Sequence, residues 1–210
     1  MTLKELYRLV IRSNCYTHLE EETASYCAER EGDTLRLLFE KSNGKTDWRN
    51  NLRFLAIPTK PYKDMKAVWF AHRGFLRVWK VIEPHLVDWI TDPTVKRIEI
   101  AGYSHGGALA LLCFEYCRYH RPDITVTGVG FGAPRVFWGI VPKEVRERVD
   151  GFLVVRNGKD LVTHMPPRVF GYRQMGRLKK VGTSVGPIKD HYPTAYLAAL
   201  KTADQKEEIV

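Results

Sequence analysis

Residues 96–113 read KRIEIAGYSHGGALALLC, and this stretch decides the fold. Residues 96–101 (KRIEIA) have strand character, and residues 109–119 have the apolar continuity of a buried helix. Between them, Gly102-Tyr103-Ser104-His105-Gly106 fits G-x-S-x-G, and Gly107 and Ala108 follow directly. Three fixed residues of common type recur by chance, so the motif gains its weight from a strand running in and a helix running out. In such a turn the serine is strained, and side chains at 102 and 106 would collide with the neighbouring strand and helix. Glycine at both positions removes the collision. The helix N-terminus then aims free N–H groups and its positive end at the place where an oxyanion would form. Ser104 is the candidate nucleophile; the plain alternative is a glycine-rich turn with an incidental serine.

Strands and helices alternate outward from this turn. Residues 34–40 (TLRLLFE) read as a strand running into the polar stretch 41–45 (KSNGK), and residues 67–71 (AVWFA) as a short buried strand. Phe75, Val78, Trp79, Ile82, Leu86, Trp89 and Ile90 keep helical spacing, with a kink expected at Pro84. Downstream, residues 124–129 and 152–156 are strands, 142–149 is a helix with proline in its first turn, and 190–200 is a closing helix. Residues 157–168 form a glycine- and proline-bearing loop. This order predicts an α/β fold, a mostly parallel central sheet with helices on both faces. At 210 residues the chain is one domain over 1–210, with a helical N-terminal extension over about residues 1–32. Leu3, Leu6, Tyr7 and Val10 share one face of that extension.

Composition narrows the class. With 44% hydrophobic and 27% charged residues the chain has ordinary globular composition, which excludes disorder. Thirty-three Lys and Arg against 24 Asp and Glu leave a net charge of +9, a surface suited to anionic partners or simply a solvated basic one. No nucleic-acid-binding motif accompanies the charge, so nucleic acid is not expected as a partner. No apolar run reaches the length of a spanning helix, and charges interrupt the N-terminal apolar residues, so a cytoplasmic location is expected, with virion association or non-classical export as the exception. Cys113 and Cys117 share a helix face and read as buried small hydrophobes; Cys15 and Cys27 could pair, but nothing local demands it. No metal or cofactor is called for.

A serine nucleophile needs a general base, and the base a carboxylate that orients it. On α/β-hydrolase sheets the chain order is Ser, Asp or Glu, then His. Of the histidines after Ser104, His105 adjoins it, His120 ends the following helix, and His164 shares a loop with the best acid candidate. His191 follows all the predicted strands and is the expected base. Asp123 and Asp150 precede strands, and Asp190 reads as a helix cap. Asp160 follows the strand FLVVR, at the sheet edge where active sites of open α/β sheets gather, and is the expected acid.

These segments resemble the class 3 (fungal-type) lipase family of α/β-hydrolases from about residue 35 onward. GYSHGGALALLC resembles the family's GHSLGGA-type elbow, and residues 131–136 (FGAPRV) its G-x-PRV turn. NGKDLVTHMPP at 157–167 resembles the N-x-x-D-x-V-x-x-L-P-P segment bearing the triad acid, and AHRGF at 71–75 its V-H-x-G-F signature. His191 with Tyr192 and Tyr196 is similar to the family's terminal catalytic histidine and following tyrosine. The resemblance implies a triad of Ser104, Asp160 and His191. It also implies an oxyanion hole from the backbone N–H groups of Ser42 and His105, because residues 39–42 and Trp48 keep the family's F-R-G-S/T…W spacing. Glu40-Lys41 stand where the family has Arg-Gly, and Tyr103 and His105 where it more often has His and Leu.

The resemblance implies a carboxylic ester hydrolase of the lipase or esterase kind, with an ester or lipid substrate and peripheral contact with anionic lipid surfaces. The family's helical lid would fall at residues 45–51 (KTDWRNN), where Trp48 is the only large apolar residue, so a poor lid and an open site are expected. Two other readings stand beside it: a catalytically idle α/β-hydrolase-fold binding or virion component, and an acyltransferase or thioesterase on the same triad. Acyl-chain preference and oligomeric state are not set by the sequence.

Overall fold

A computed structural model describes residues 1–12, 14–19, 24–40, 55–59, 62 and 68–203. Eleven strands are described: β1 (Thr17–His18), β2 (Ser25–Glu31), β3 (Thr34–Phe39), β4 (Ala56–Thr59), β5 (Trp69–His72), β6 (Arg97–Tyr103), β7 (Thr125–Phe131), β8 (Phe137–Trp138), β9 (Leu153–Asn157), β10 (Tyr172–Arg173) and β11 (Arg177–Val181). The α-helices are α1 (Leu3–Ile11), α2 (Arg73–Thr91), α3 (His105–His120), α4 (Lys143–Val149) and α5 (Pro193–Ala203). The main sheet has the order β1-β2-β3-β6-β7-β9-β11, with β3, β6, β7, β9 and β11 parallel and β1 and β2 antiparallel at one edge.

Strand periodicity splits the core into two layers. Ile98 and Ile100 of β6, with Leu35, Leu37 and Phe39 of β3, face the apolar sides of α2 and α3. Ala101, Tyr103, Phe131 and Val155 face Leu3, Leu6, Tyr7 and Val10 of α1 and Tyr196 and Leu200 of α5. The C-terminal halves of β3, β6 and β7 are buried on both sides, whereas their first halves alternate, with Arg36 and Glu99 paired across β3 and β6. The α/β-hydrolase arrangement expected from the sequence is therefore present, with helices on each face.

Three local expectations change, and the helix expected around Pro84 is present. Among the described residues the N-terminal extension is helical over Leu3–Ile11; Ser25–Glu31 is a strand paired with β3 through a two-residue turn at Gly32-Asp33, where Gly32 has φ +60°. Cross-strand pairing and a Gly-Asp turn outweigh the helical reading there. Residues 69–72 join a second sheet, antiparallel, of order β10-β8-β5-β4, instead of the main one. Helix α2 runs from residue 73 to 91 with Pro84 inside it, Val78, Ile82, Leu86 and Ile90 holding its buried face. Asp190 and His191, expected in the closing helix, belong to a separate 3-10 turn, Lys189–His191, ahead of α5. All four cysteines are free thiols, with Cys113 and Cys117 buried together on α3.

Candidate active site

The elbow follows from the packing of β6 and α3. Ser104 takes φ 58° and ψ −121°, the only positive φ at a non-glycine residue among those described. Its N–H donates to the Phe131 carbonyl (2.8 Å), which ties the turn to the end of β7. A Cβ on Gly102 would stand 2.0 Å from the Gly106 carbonyl oxygen, and one on Gly106 would stand 2.2 Å from that of Phe39. Strand and helix therefore approach closely enough to forbid any side chain at either position.

The three residues singled out by chain order meet at this turn. Ser104 Oγ lies 2.9 Å from His191 Nε2, and His191 Nδ1 lies 2.8 Å from Asp160 Oδ2. Asp160 is fully buried, on the loop after β9. Its Oδ1 accepts from the Val162 N–H (2.9 Å), and its Oδ2 also accepts from the Tyr196 hydroxyl (2.6 Å). Burial, followed by the charge of Asp160 and the hydrogen bond to it, pushes the Tyr196 phenol well above its ordinary pKa, so Tyr196 stays a donor. A carboxylate with these donors holds the Nδ1–H of His191 and leaves Nε2 free to accept from serine.

Further residues position the histidine. Tyr103 stacks on the His191 ring (centroids 5.2 Å apart) and its hydroxyl donates to the His191 carbonyl. Tyr7 of α1 packs edge-on against Tyr103 and Phe131, so the N-terminal helix backs the aromatic floor of the site. Asp190 is not a helix cap. Its carboxylate accepts from the Ser184 hydroxyl (2.6 Å), the Val185 N–H (2.7 Å) and the Lys159 N–H (2.8 Å), and its carbonyl from Asn157 Nδ2 (2.9 Å). Burial alone would raise the Asp190 carboxyl; these donors bring it below the ordinary carboxylate range. Asp190 thereby joins the loop bearing the histidine to the loop bearing Asp160. Nothing local in the sequence marks this, because its partners lie 5 to 33 residues away.

His105 heads α3, so its backbone N–H is among the free donors at the helix N-terminus. Its ring packs against Phe75, and burial, then the nearby His72, lower its pKa to about 4. Ser42, the other expected oxyanion residue, and the expected lid segment 45–51 lie outside the described residues. His164 is engaged elsewhere: Arg156 Nη1 donates to its Nε2 (2.9 Å), and its Nδ1 donates to the Asp160 carbonyl (3.1 Å). Asp123 pairs with Arg121, and His120 packs against Tyr116. Among the described residues one cluster, Cys15, Cys27 and Glu29, brings metal-ligating atoms within 4.8 Å of one another, and Arg12 grips both oxygens of Glu29 (2.6 and 2.8 Å).

A mostly parallel sheet covered on both faces, with a strained serine between strand and helix and a histidine and carboxylate in line behind it, defines an α/β-hydrolase fold with a nucleophile elbow. The model of the lipase (class 3) family matches residues 37–170, and the chain belongs to that family. The lipase of Rhizomucor miehei is 26% identical over 151 residues, which cover 68% of this chain and 40% of that protein. The secreted mono- and diacylglycerol lipase 1 of Fusarium solani is 30% identical over 115 residues, 52% of this chain and 34% of that one. The chain thus spans about two fifths or less of these relatives' lengths. Among solved structures, Rhizomucor miehei triacylglyceride lipase superposes with a TM-score of 0.66 at 22% identity, covering 79% of this chain and 64% of that one. Lipase II of Rhizopus niveus gives 0.64 at 23% identity, covering 82% and 66%.

Proposed function

We propose that this protein is a serine hydrolase that cleaves carboxylic esters of lipid acyl chains. The observation that carries the reading is the unbroken hydrogen-bonded line from Ser104 Oγ through His191 to the buried Asp160 carboxylate. Ser104 attacks the ester carbonyl carbon while His191 Nε2 takes its proton. Asp160 holds the imidazole in the required tautomer and stabilises the imidazolium that forms. The carbonyl oxygen becomes an oxyanion facing the N-terminus of α3, where the His105 N–H donates to it, with Ser42 as the expected second donor. His191 then passes its proton to the leaving alcohol, and water repeats the sequence to release the acid from Ser104.

The loops bearing Asp160 and His191 also carry exposed apolar side chains: Leu161 (43% exposed), Val185 (68%), Ile188 (65%) and Tyr192 (53%). Exposed Lys159 and Lys189 interleave with them. Such a rim suits a lipid surface, the apolar residues entering it and the lysines favouring anionic head groups. The deciding experiment is reaction with a fluorophosphonate, combined with a p-nitrophenyl ester series of rising acyl length. Wild type is expected to label and turn over, and Ser104→Ala to do neither while remaining folded. Turnover by a folded Ser104→Ala variant would refute the mechanism.

A further inference from the structure

Beside the loop of Asp160 lies a group of cations that the triad does not use. Arg135 follows β7 and is 7% exposed; its Nη1 donates to the carbonyls of His164 (2.5 Å) and Pro166 (2.9 Å). Arg156, on β9, uses its own Nη1 to donate to His164 Nε2 (2.9 Å). Arg168 is exposed on the next 3-10 turn, Arg168–Phe170. That turn is fastened to β8, because Trp138 Nε1 donates to the Phe170 carbonyl (2.6 Å) and the Gly139 N–H to that of Gly171 (3.0 Å).

Among the described residues, no carboxylate forms an ion pair with any of the three. Asp160, whose loop they adjoin, is committed to His191, Tyr196 and Val162. Burial first, then the charges of Arg168 and Arg156, press the Arg135 guanidinium below its ordinary pKa. Three cations thus share one partly buried corner, with no ion-paired carboxylate among the described residues.

Their free edges match each other. Arg135 and Arg156 both spend Nη1 on fixed acceptors, and the Nε of each is buried with no acceptor. The Nε/Nη2 edge is the one with which Arg121 holds both oxygens of Asp123 (3.1 and 3.2 Å), and with which Arg36 holds Glu99 Oε2 (3.0 and 2.9 Å), elsewhere in this protein. That edge presents two parallel N–H donors, the geometry that grips two oxygens of one oxyanion.

We infer that Arg135, Arg156 and Arg168 form a binding site for a phosphate-type oxyanion next to the catalytic acid's loop. Three guanidinium groups match a group with several equivalent oxygens and up to two negative charges better than a single carboxylate. Two sources share this chemistry: free phosphate, and the phosphodiester on the alcohol side of a lipid ester. The second source rests on the ester-hydrolase reading above, and the first does not.

The test compares wild type with Arg156→Gln and Arg168→Gln; Arg168 is exposed, so its variant keeps the core intact. Thermal unfolding is measured with sodium phosphate and with sodium chloride at matched ionic strength. Phosphate at about ten times its Kd should raise the wild-type Tm by about 3 °C over chloride, and each variant should lose most of that rise. In parallel, kcat/KM is measured on dihexanoyl phosphatidylglycerol below its micelle concentration and on p-nitrophenyl butyrate. A fall of about tenfold in the ratio of the two in the variants identifies the lipid phosphodiester as the ligand. An unchanged ratio with a lost phosphate response identifies free phosphate, and the site stands. No phosphate-specific rise in wild type, or a rise undiminished in both variants, overturns the site. Failure of the hydrolase reading is read separately, as absent turnover of p-nitrophenyl butyrate.

Discussion

Replacing Ser104 by glycine should stabilise the protein relative to replacing it by alanine. At φ 58° and ψ −121° the residue lies at positive φ and outside the left-handed helical basin, a region that a side chain occupies only under strain. Strain of this kind costs about 1–3 kcal/mol, and the ψ value puts it in the upper half of that range. Glycine releases it, but surrenders about 0.4–1 kcal/mol to the freer unfolded chain and about 0.8 kcal/mol for the lost buried methyl group. Both variants lose the Ser104–His191 hydrogen bond, so that loss cancels. Ser104 makes no side-chain cap to α3, and nothing further is lost there. The balance favours Ser104→Gly over Ser104→Ala by about 1 kcal/mol, or roughly 2–4 °C in Tm for a chain of this size. Thermal and urea unfolding of the two inactive variants in one buffer measure it. A glycine variant no more stable than the alanine variant would show that the elbow stores no strain.

His191→Ala should lower kcat on p-nitrophenyl butyrate by at least about 10³-fold, and His164→Ala by less than about tenfold, since the His164 ring bonds to Arg156 and the Asp160 carbonyl and not to Ser104; the opposite ranking would reassign the base. Tyr196→Phe removes a donor from the buried Asp160 carboxylate and should cost about 1.5–3 kcal/mol in denaturant unfolding, along with some activity; wild-type stability and rate would show that the contact is idle. The His105 imidazole is held at about 4 in the fold against about 6.5 when unfolded, so the unfolded chain binds the extra proton between those values. Stability should therefore be full above pH about 6.5 and decline towards pH about 4, and His105→Leu should flatten that decline; an identical acid limb in the variant counts against it. Rate against tributyrin concentration should saturate smoothly through the solubility limit, because Trp48 alone offers at most about 2–3 kcal/mol of lid burial against the roughly 5.5 kcal/mol a closed-to-open switch requires. A sharp rise at that limit would indicate a lid elsewhere in the chain.

Local chemistry made the elbow readable in the amino-acid order alone. Glycines at 102 and 106 are demanded by the closeness of strand and helix, and that demand leaves a fixed spacing around Ser104. The run of strands and helices after residue 96 was readable for the same reason, since the period of the apolar residues is a property of each segment. Chain order selected Asp160 and His191, because the parallel sheet puts the ends of its later strands at one edge.

Tertiary contacts decided the rest. Residues 25–31 became a strand because β3 was available to pair with them, and residues 69–72 entered the second sheet because β4 and β8 flank them; neither partner shows in the segment itself. Asp190 read as a cap and is instead a tie between two loops, and Tyr7 read as one apolar residue of an amphipathic helix and is instead the backing of Tyr103. The arginines 135, 156 and 168 are scattered over more than thirty residues and become neighbours only where the PRV turn meets the loop after β9. Spacing along a chain records the constraints within an element; a hydrogen bond or a charge cluster between elements leaves no such period, and it exists only once the sheet has brought its loops to one edge.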